Sequence, residues 1–185
     1  MTDVQQAHWG KTLITVVVED ITTQDVDAIV NAANSKLLGG HGVDGAIHRA
    51  AGPALLDDCK AVVSRQGRCN TGEAVITGAG DLLASHVVHT VGPAWTGDNV
   101  EMHDYQLGRC YTESLRLANE AGASTVAFPN ISTGVYHFPL DRAALVVATA
   151  VHEWLAENDH EIREVRFVCF EQANFDLYVE LLAST

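Results

Sequence analysis

Positive charge is scarce in this chain: 11 lysines and arginines stand against 24 aspartates and glutamates, for a net charge of −13. That balance excludes a nucleic-acid groove or an anionic membrane surface as the main partner, because an acidic protein repels both. A small anion in one neutral pocket stays compatible with it. No apolar stretch approaches membrane-spanning length, and the N-terminus has no basic start leading into an apolar run. Neither a membrane span nor a signal peptide is expected. The four cysteines, Cys59, Cys69, Cys110 and Cys169, include no C-x-x-C pair and read as reduced thiols of a cytoplasmic protein. Zinc spacing is also missing. His86 and His89 lie three apart on an expected strand and point to opposite faces, so no metal and no cofactor is expected.

Apolar residues make up 47% of the chain and charged ones 19%, a balance that argues against disorder. No linker or repeat interrupts it, so residues 1–185 are expected to form one domain. Strand-like runs cover 13–18, 28–31, 74–77, 86–91, 125–128 and 165–170. Helical spacing falls between them. One helix begins near Pro53 and places Leu55, Cys59 and Val62 on one face. Another carries Leu107, Tyr111, Ser114 and Ala118, and a third opens at Pro139. Asn174 is expected to cap a last helix. The alternation implies an α/β fold, a three-layer α/β/α sandwich around a mixed, mostly parallel central sheet. Ligands in such folds sit beyond the carboxyl ends of the strands.

Two loops occupy that position. Gly39-Gly-His-Gly-Val43 enters the helical segment 43–51, where free N–H groups at a helix start suit a phosphate. Asn130-Ile-Ser-Thr-Gly-Val-Tyr136 offers hydroxyls and a turn, with Gly134 expected to permit a sharp bend. Each alone also reads as a simple turn. Neither dinucleotide-fold nor P-loop glycine spacing is present. Two such loops in one domain point to a diphosphate held between them, with main-chain N–H groups replacing the missing lysines and arginines.

The ordered pieces Asp20-Ile21, Asn31-Ala-Ala-Asn34, Gly39 to His48, His89-Thr-Val-Gly-Pro93 and Pro129 to Tyr136 resemble the macrodomain family, specifically its MacroD-type ADP-ribosyl hydrolases and O-acetyl-ADP-ribose deacetylases. His41 departs from the glycine common there, and His137-Phe138 from Gly-Tyr. The resemblance implies ADP-ribose and its esters as ligands and mono-ADP-ribosylated proteins as partners, handled by a monomer. It implies that Asp20 and the Ile21 N–H hold adenine, and that Phe170 stacks on it. Gly42, Val43, Ile131, Ser132, Thr133, Gly134 and Val135 line the phosphate and ribose path, and Tyr136 packs over the distal ribose. Asn31 joins this binding set by holding the loops together. Asn34 and Asp44 form the catalytic pair, Asp44 activating or orienting water.

Each residue also has a plainer reading. Asp20 suits a helix cap, Phe170 a core position, Tyr136 a loop aromatic, Asn34 a turn and Asp44 an exposed first helical turn. His48, four residues beyond Asp44, shares its helix face and is left outside the catalytic set as a packed histidine. The activity so implied is hydrolysis of ADP-ribose esters. A module that binds ADP-ribose without turnover is the alternative.

Overall fold

The computed structural model describes residues 3–184. Its sheet has seven strands in the order β1-β2-β7-β6-β3-β5-β4. These are β1 Val4–Trp9, β2 Thr12–Val18, β3 Ala28–Ala32, β4 Ala74–Gly78, β5 His86–Thr90, β6 Thr125–Phe128 and β7 Glu164–Cys169. The inner five pair in parallel, while β1 joins β2 and β4 joins β5 antiparallel at the two edges. The helices are α1 Gly42–Ala51, α2 Pro53–Gln66, α3 Val100–Glu120, α4 Leu140–Glu157 and α5 Gln172–Ala183.

Strand alternation builds the layers, because successive side chains leave opposite faces of a sheet. Val16, Val30, Phe128 and Phe167 point to one side, where Leu107 and Tyr111 of α3, Val147 and Val151 of α4, and Phe175 of α5 cover them. Their chain neighbours Val17, Ile29, Ala127 and Val168 point to the other side, against Ile47 and Ala51 of α1 and Leu55 of α2. Both faces are thus dry, which is why the central strands are apolar runs without polar alternation. The expected sandwich and its mixed, mostly parallel sheet are the observed architecture.

Three local expectations change. The edge strand β1 was not foreseen; its sequence Val-Gln-Gln-Ala-His-Trp is mostly polar because only Trp9 is buried. Phe170 follows β7 and does not belong to it. Asn174 does not cap α5: Glu171 precedes the helix, which starts at Gln172, and Asn174 lies buried within its first turn. All five parallel strands end on the same side of the sheet. The loops after β2, β3, β5, β6 and β7 therefore open into one cleft.

Candidate functional site

That cleft measures about 730 Å3 and is lined by every residue of the expected binding and catalytic sets except Asn31. At one end, Asp20 stands before a 3-10 turn, Ile21–Thr23. Its Oδ1 accepts the Thr22 N–H at 2.8 Å and the Thr22 hydroxyl at 2.7 Å, so the capping role is real. Oδ2 is left for another donor. Phe170 also lines the cleft and is 86% exposed, an aromatic face outside the core.

The first glycine loop leads directly into α1. His41 makes no side-chain cap, which leaves the first-turn N–H groups of α1 at the cleft wall without a protein acceptor from that side chain. Asn34 ties the loop down, its Nδ2 donating to the Gly39 carbonyl at 2.9 Å and its Oδ1 accepting the Lys36 N–H at 3.2 Å. Gly40 separates Asn34 from Asp44. A Cβ there would lie 3.2 Å from Asp44 Oδ2 and 3.7 Å from Asn34 Nδ2, so glycine is what lets the two functional groups approach.

The second loop is anchored from below. The buried Tyr111 hydroxyl donates to the Pro129 carbonyl at 2.9 Å and accepts the Ile131 N–H at 3.3 Å. The chain bends at Gly134, whose carbonyl accepts the His137 N–H at 2.9 Å, but the left-handed backbone conformations of the loop belong to Ser132 and His137 and not to Gly134. Contacts within the loop hold Ser132 there, since its carbonyl accepts the Phe138 N–H at 2.9 Å. A Cβ on Gly134 would meet nothing within 4 Å, so this glycine keeps cleft space open. Gly92, after β5, is the opposite case. A Cβ there would fall 2.2 Å from Ser132 Oγ and 2.6 Å from Ile131 Cγ2, so it lets the second loop lie flat on the sheet end.

Electrostatics match the scarcity of basic residues. Glu19, Asp20, Asp44 and Glu171 line the cleft, with Arg49 as its one lysine or arginine. An anion bound there would be met mainly by N–H groups and hydroxyls, with Arg49 the one such cation among the described lining residues. Asp44 is buried at 5% exposure, and it lies deep in the site, not on an exposed first turn. Burial raises its pKa above the ordinary carboxylate value, against the opposing pull of the Asn31 hydrogen bond and of His48. A carboxylate shifted upward is a better proton acceptor than an exposed one.

Asn31 stands behind the cleft, fully buried. Its Nδ2 donates to Asp44 Oδ1 at 2.7 Å. His48 Nε2 lies 3.4 Å from the same oxygen. Sequence spacing did not reveal that His48, Cys59 and His89 bring ligand-type atoms within 4.8 Å of one another. Both ring nitrogens of His89 are already engaged, one with Asn31 and one with Thr77. Burial pushes the Cys59 thiol up to about 11, aided by Asp44 and Asp58, so it stays protonated. The trio therefore reads as part of a hydrogen-bonded network. Its signals in the sequence were His48, on the helix face of Asp44, and His89, inside the apolar strand run 86–91.

Known proteins share this fold. The family model described as Macro domain matches residues 30–147. A macro domain-containing protein of Listeria monocytogenes is 55% identical over 172 residues, covering 92% of this chain and 97% of that protein. An O-acetyl-ADP-ribose deacetylase of Pantoea vagans is 53% identical over 169 residues, covering 91% and 98%. Among solved structures, the Oceanobacillus iheyensis macrodomain with ADP superposes with a TM-score of 0.93 at 36% identity, over 100% of this chain and 97% of that one. The Trypanosoma brucei macrodomain in complex with ADP-ribose gives 0.83 at 37% identity, over 91% and 68%. With its sheet order, its two-loop cleft and these matches, the chain belongs to the macrodomain family.

Proposed function

We propose that this protein hydrolyses esters of ADP-ribose. It releases ADP-ribose from glutamate- and aspartate-linked mono-ADP-ribosylated proteins and removes the acetyl group of O-acetyl-ADP-ribose. The observation that carries this reading is Asp44: a buried carboxylate with a raised pKa, facing Asn34 across Gly40 inside the cleft. The Pantoea vagans relatives named O-acetyl-ADP-ribose deacetylases support the same class of reaction.

In this reading adenine lies between Asp20, Ile21 and Phe170, and the diphosphate lies between the α1 start and the second loop. Tyr136 covers the distal ribose and Asn34 binds its hydroxyls. A water held beside the α-phosphate gives a proton to Asp44 while its oxygen attacks the ester carbonyl carbon. The adduct collapses, the carbon–oxygen bond to ribose breaks, and the ribose oxygen takes the proton back from Asp44. Arg- and Ser-linked ADP-ribose has no acyl carbon for this attack and is not a substrate. The protein acts as a monomer without a metal, in the cytoplasm, where four buried free thiols are stable.

A panel of ester-, Arg- and Ser-linked ADP-ribose substrates tests the proposal. Release from the ester-linked members alone is expected. Tight ADP-ribose binding with no release from any member would make the chain a reader.

A further inference from the structure

Behind Asp44 a single file of hydrogen bonds runs from the cleft into the sheet. Asn31 Nδ2 lies 2.7 Å from Asp44 Oδ1 and 3.1 Å from His89 Nδ1. His89 Nε2 lies 2.9 Å from Thr77 Oγ1, whose hydroxyl donates to the Gly78 carbonyl at 2.8 Å. Asn31, His89, Thr77 and Asp44 are all buried.

One assignment of protons is consistent with every bond in this file. A hydroxyl has one proton, and Thr77 commits it to Gly78. Toward His89 it then accepts, and Nε2 carries the imidazole proton, with the Cys59 sulfur at 3.6 Å as a second, weaker acceptor. Neutral imidazole has no second one, which leaves Nδ1 to accept. Asn31 must turn its NH2 group toward His89, and its other N–H goes to Asp44 Oδ1. The Asn31 carbonyl oxygen is left buried without a partner among the described residues.

The two oxygens of Asp44 thereby separate. Oδ1 is fixed by Asn31, and Oδ2 turns toward Gly40 and Asn34. We propose that Thr77 and His89 are positioning residues for the hydrolysis: they set the Asn31 carboxamide, which holds Asp44 with one oxygen anchored and the other presented to the cleft. This rests on the reading of Asp44 as the base. The groups facing the carboxylate are His48 on its own helix α1 and Asn31 on β3, with Cys59 of α2 and His89 of β5 behind them. His89 stays neutral, since burial, and then His48, push it down to about 3. Cys59 stays a thiol. Of the groups close to the carboxylate, His48 remains as one whose titration must be followed beside that of Asp44.

Thr77→Val removes the acceptor at the far end of the file with little change in shape, and Thr77→Ser keeps it. Nitrogen NMR of the ligand-free protein reads the His89 tautomer, and carbon NMR reads the Asp44 and His48 titrations. In the wild type His89 carries its proton on Nε2. In Thr77→Val it moves to Nδ1, which confronts Asn31 with a donor and turns the carboxamide. Asp44 then loses a hydrogen bond that lowered its pKa, so its midpoint rises by about one pH unit. The acid limb of kcat moves up with it, KM changes little, and Thr77→Ser restores both. A wild-type proton on Nδ1, or an Asp44 midpoint unmoved in a folded Thr77→Val, overturns the relay. Neither NMR readout needs turnover: if they move together while no ester is cleaved, the relay stands and the hydrolase reading fails.

Discussion

Asn34 and Asp44 face each other across one missing Cβ, with Gly40 approaching both the amide and the Oδ2 oxygen. Ten residues apart in the chain, the pair is brought together because Asn34 leaves the end of β3 and Asp44 sits in the first turn of α1. Asp44→Ala is expected to slow ADP-ribose release from a glutamate-linked substrate by about a hundredfold or more, as loss of a general base does. ADP-ribose affinity is expected to fall far less, because the proposed function assigns the phosphates and adenine to other residues. Single-turnover release and calorimetry measure the two quantities. In the wild type, release should rise with pH along a limb set by Asp44 and lying above the ordinary carboxylate value. Undiminished release by the variant would remove Asp44 from catalysis.

Two glycines on the second loop's two sides should respond differently to substitution. Gly134 has an ordinary backbone conformation and open space where a side chain would go. Gly134→Val is therefore expected to fold normally yet fill the phosphate path, weakening ADP-ribose binding by about tenfold or more, ~1.4 kcal/mol. Gly92 has no such space, with Ser132 Oγ only 2.2 Å from its Cβ position. Gly92→Ala is expected to lose roughly 1–3 kcal/mol of stability, as overpacked sites do, and to weaken binding by displacing the loop. Thermal melts beside titrations separate the two cases. A destabilised Gly134→Val or a fully stable Gly92→Ala would contradict the geometry.

Phe170 is 86% exposed and contributes nothing to the core, so its removal should leave the fold intact. Phe170→Ala is expected to lose roughly 1–3 kcal/mol of ADP-ribose affinity, the worth of one base–aromatic stack. The melting temperature should not move. Ribose 5-phosphate, which has no adenine, should bind wild type and variant alike; a discrimination there would place Phe170 elsewhere in the cleft.

The parts of this molecule written in local patterns were legible before its structure. Central strands such as Ile29–Val30 are apolar on both faces, and α2, α3 and α4 keep their buried residues at helical spacing. The glycine loops announce themselves because the residue types that bare a backbone N–H are a local signal. Edge strand β1 was hidden, since a strand exposed on most of its residues needs no apolar pattern. The left-handed Ser132 was hidden for another reason: bonds around it, not its residue type, impose that backbone. Least legible was the file from Thr77 through His89 and Asn31 to Asp44. It joins four separate elements, and nothing in the spacing of four polar residues says that they meet.

Asp27 offers a pH-dependent test of the scaffold, away from the cleft. Its Oδ2 accepts the Ser124 N–H at 2.8 Å, the Ser124 hydroxyl at 2.9 Å and the Thr125 N–H at 3.1 Å, joining the approach to β3 with the start of β6. Burial works to raise the Asp27 pKa, but these bonds together outweigh it and hold it below its ordinary 3.8. A carboxyl depressed on folding stabilises above its unfolded value and loses that contribution as pH falls through the folded one. Asp27→Ala is thus expected to cost roughly 1–2 kcal/mol at pH 7, a modest sum because the carboxylate is partly exposed. Each kcal/mol corresponds to about 2–4 °C in melting temperature for a chain of this size. The gap between variant and wild type should narrow as pH falls from about 4 toward 2, where both lack the charge. Paired melts across that range decide it, and a gap that holds constant would mean that Asp27 acts by shape and not by charge.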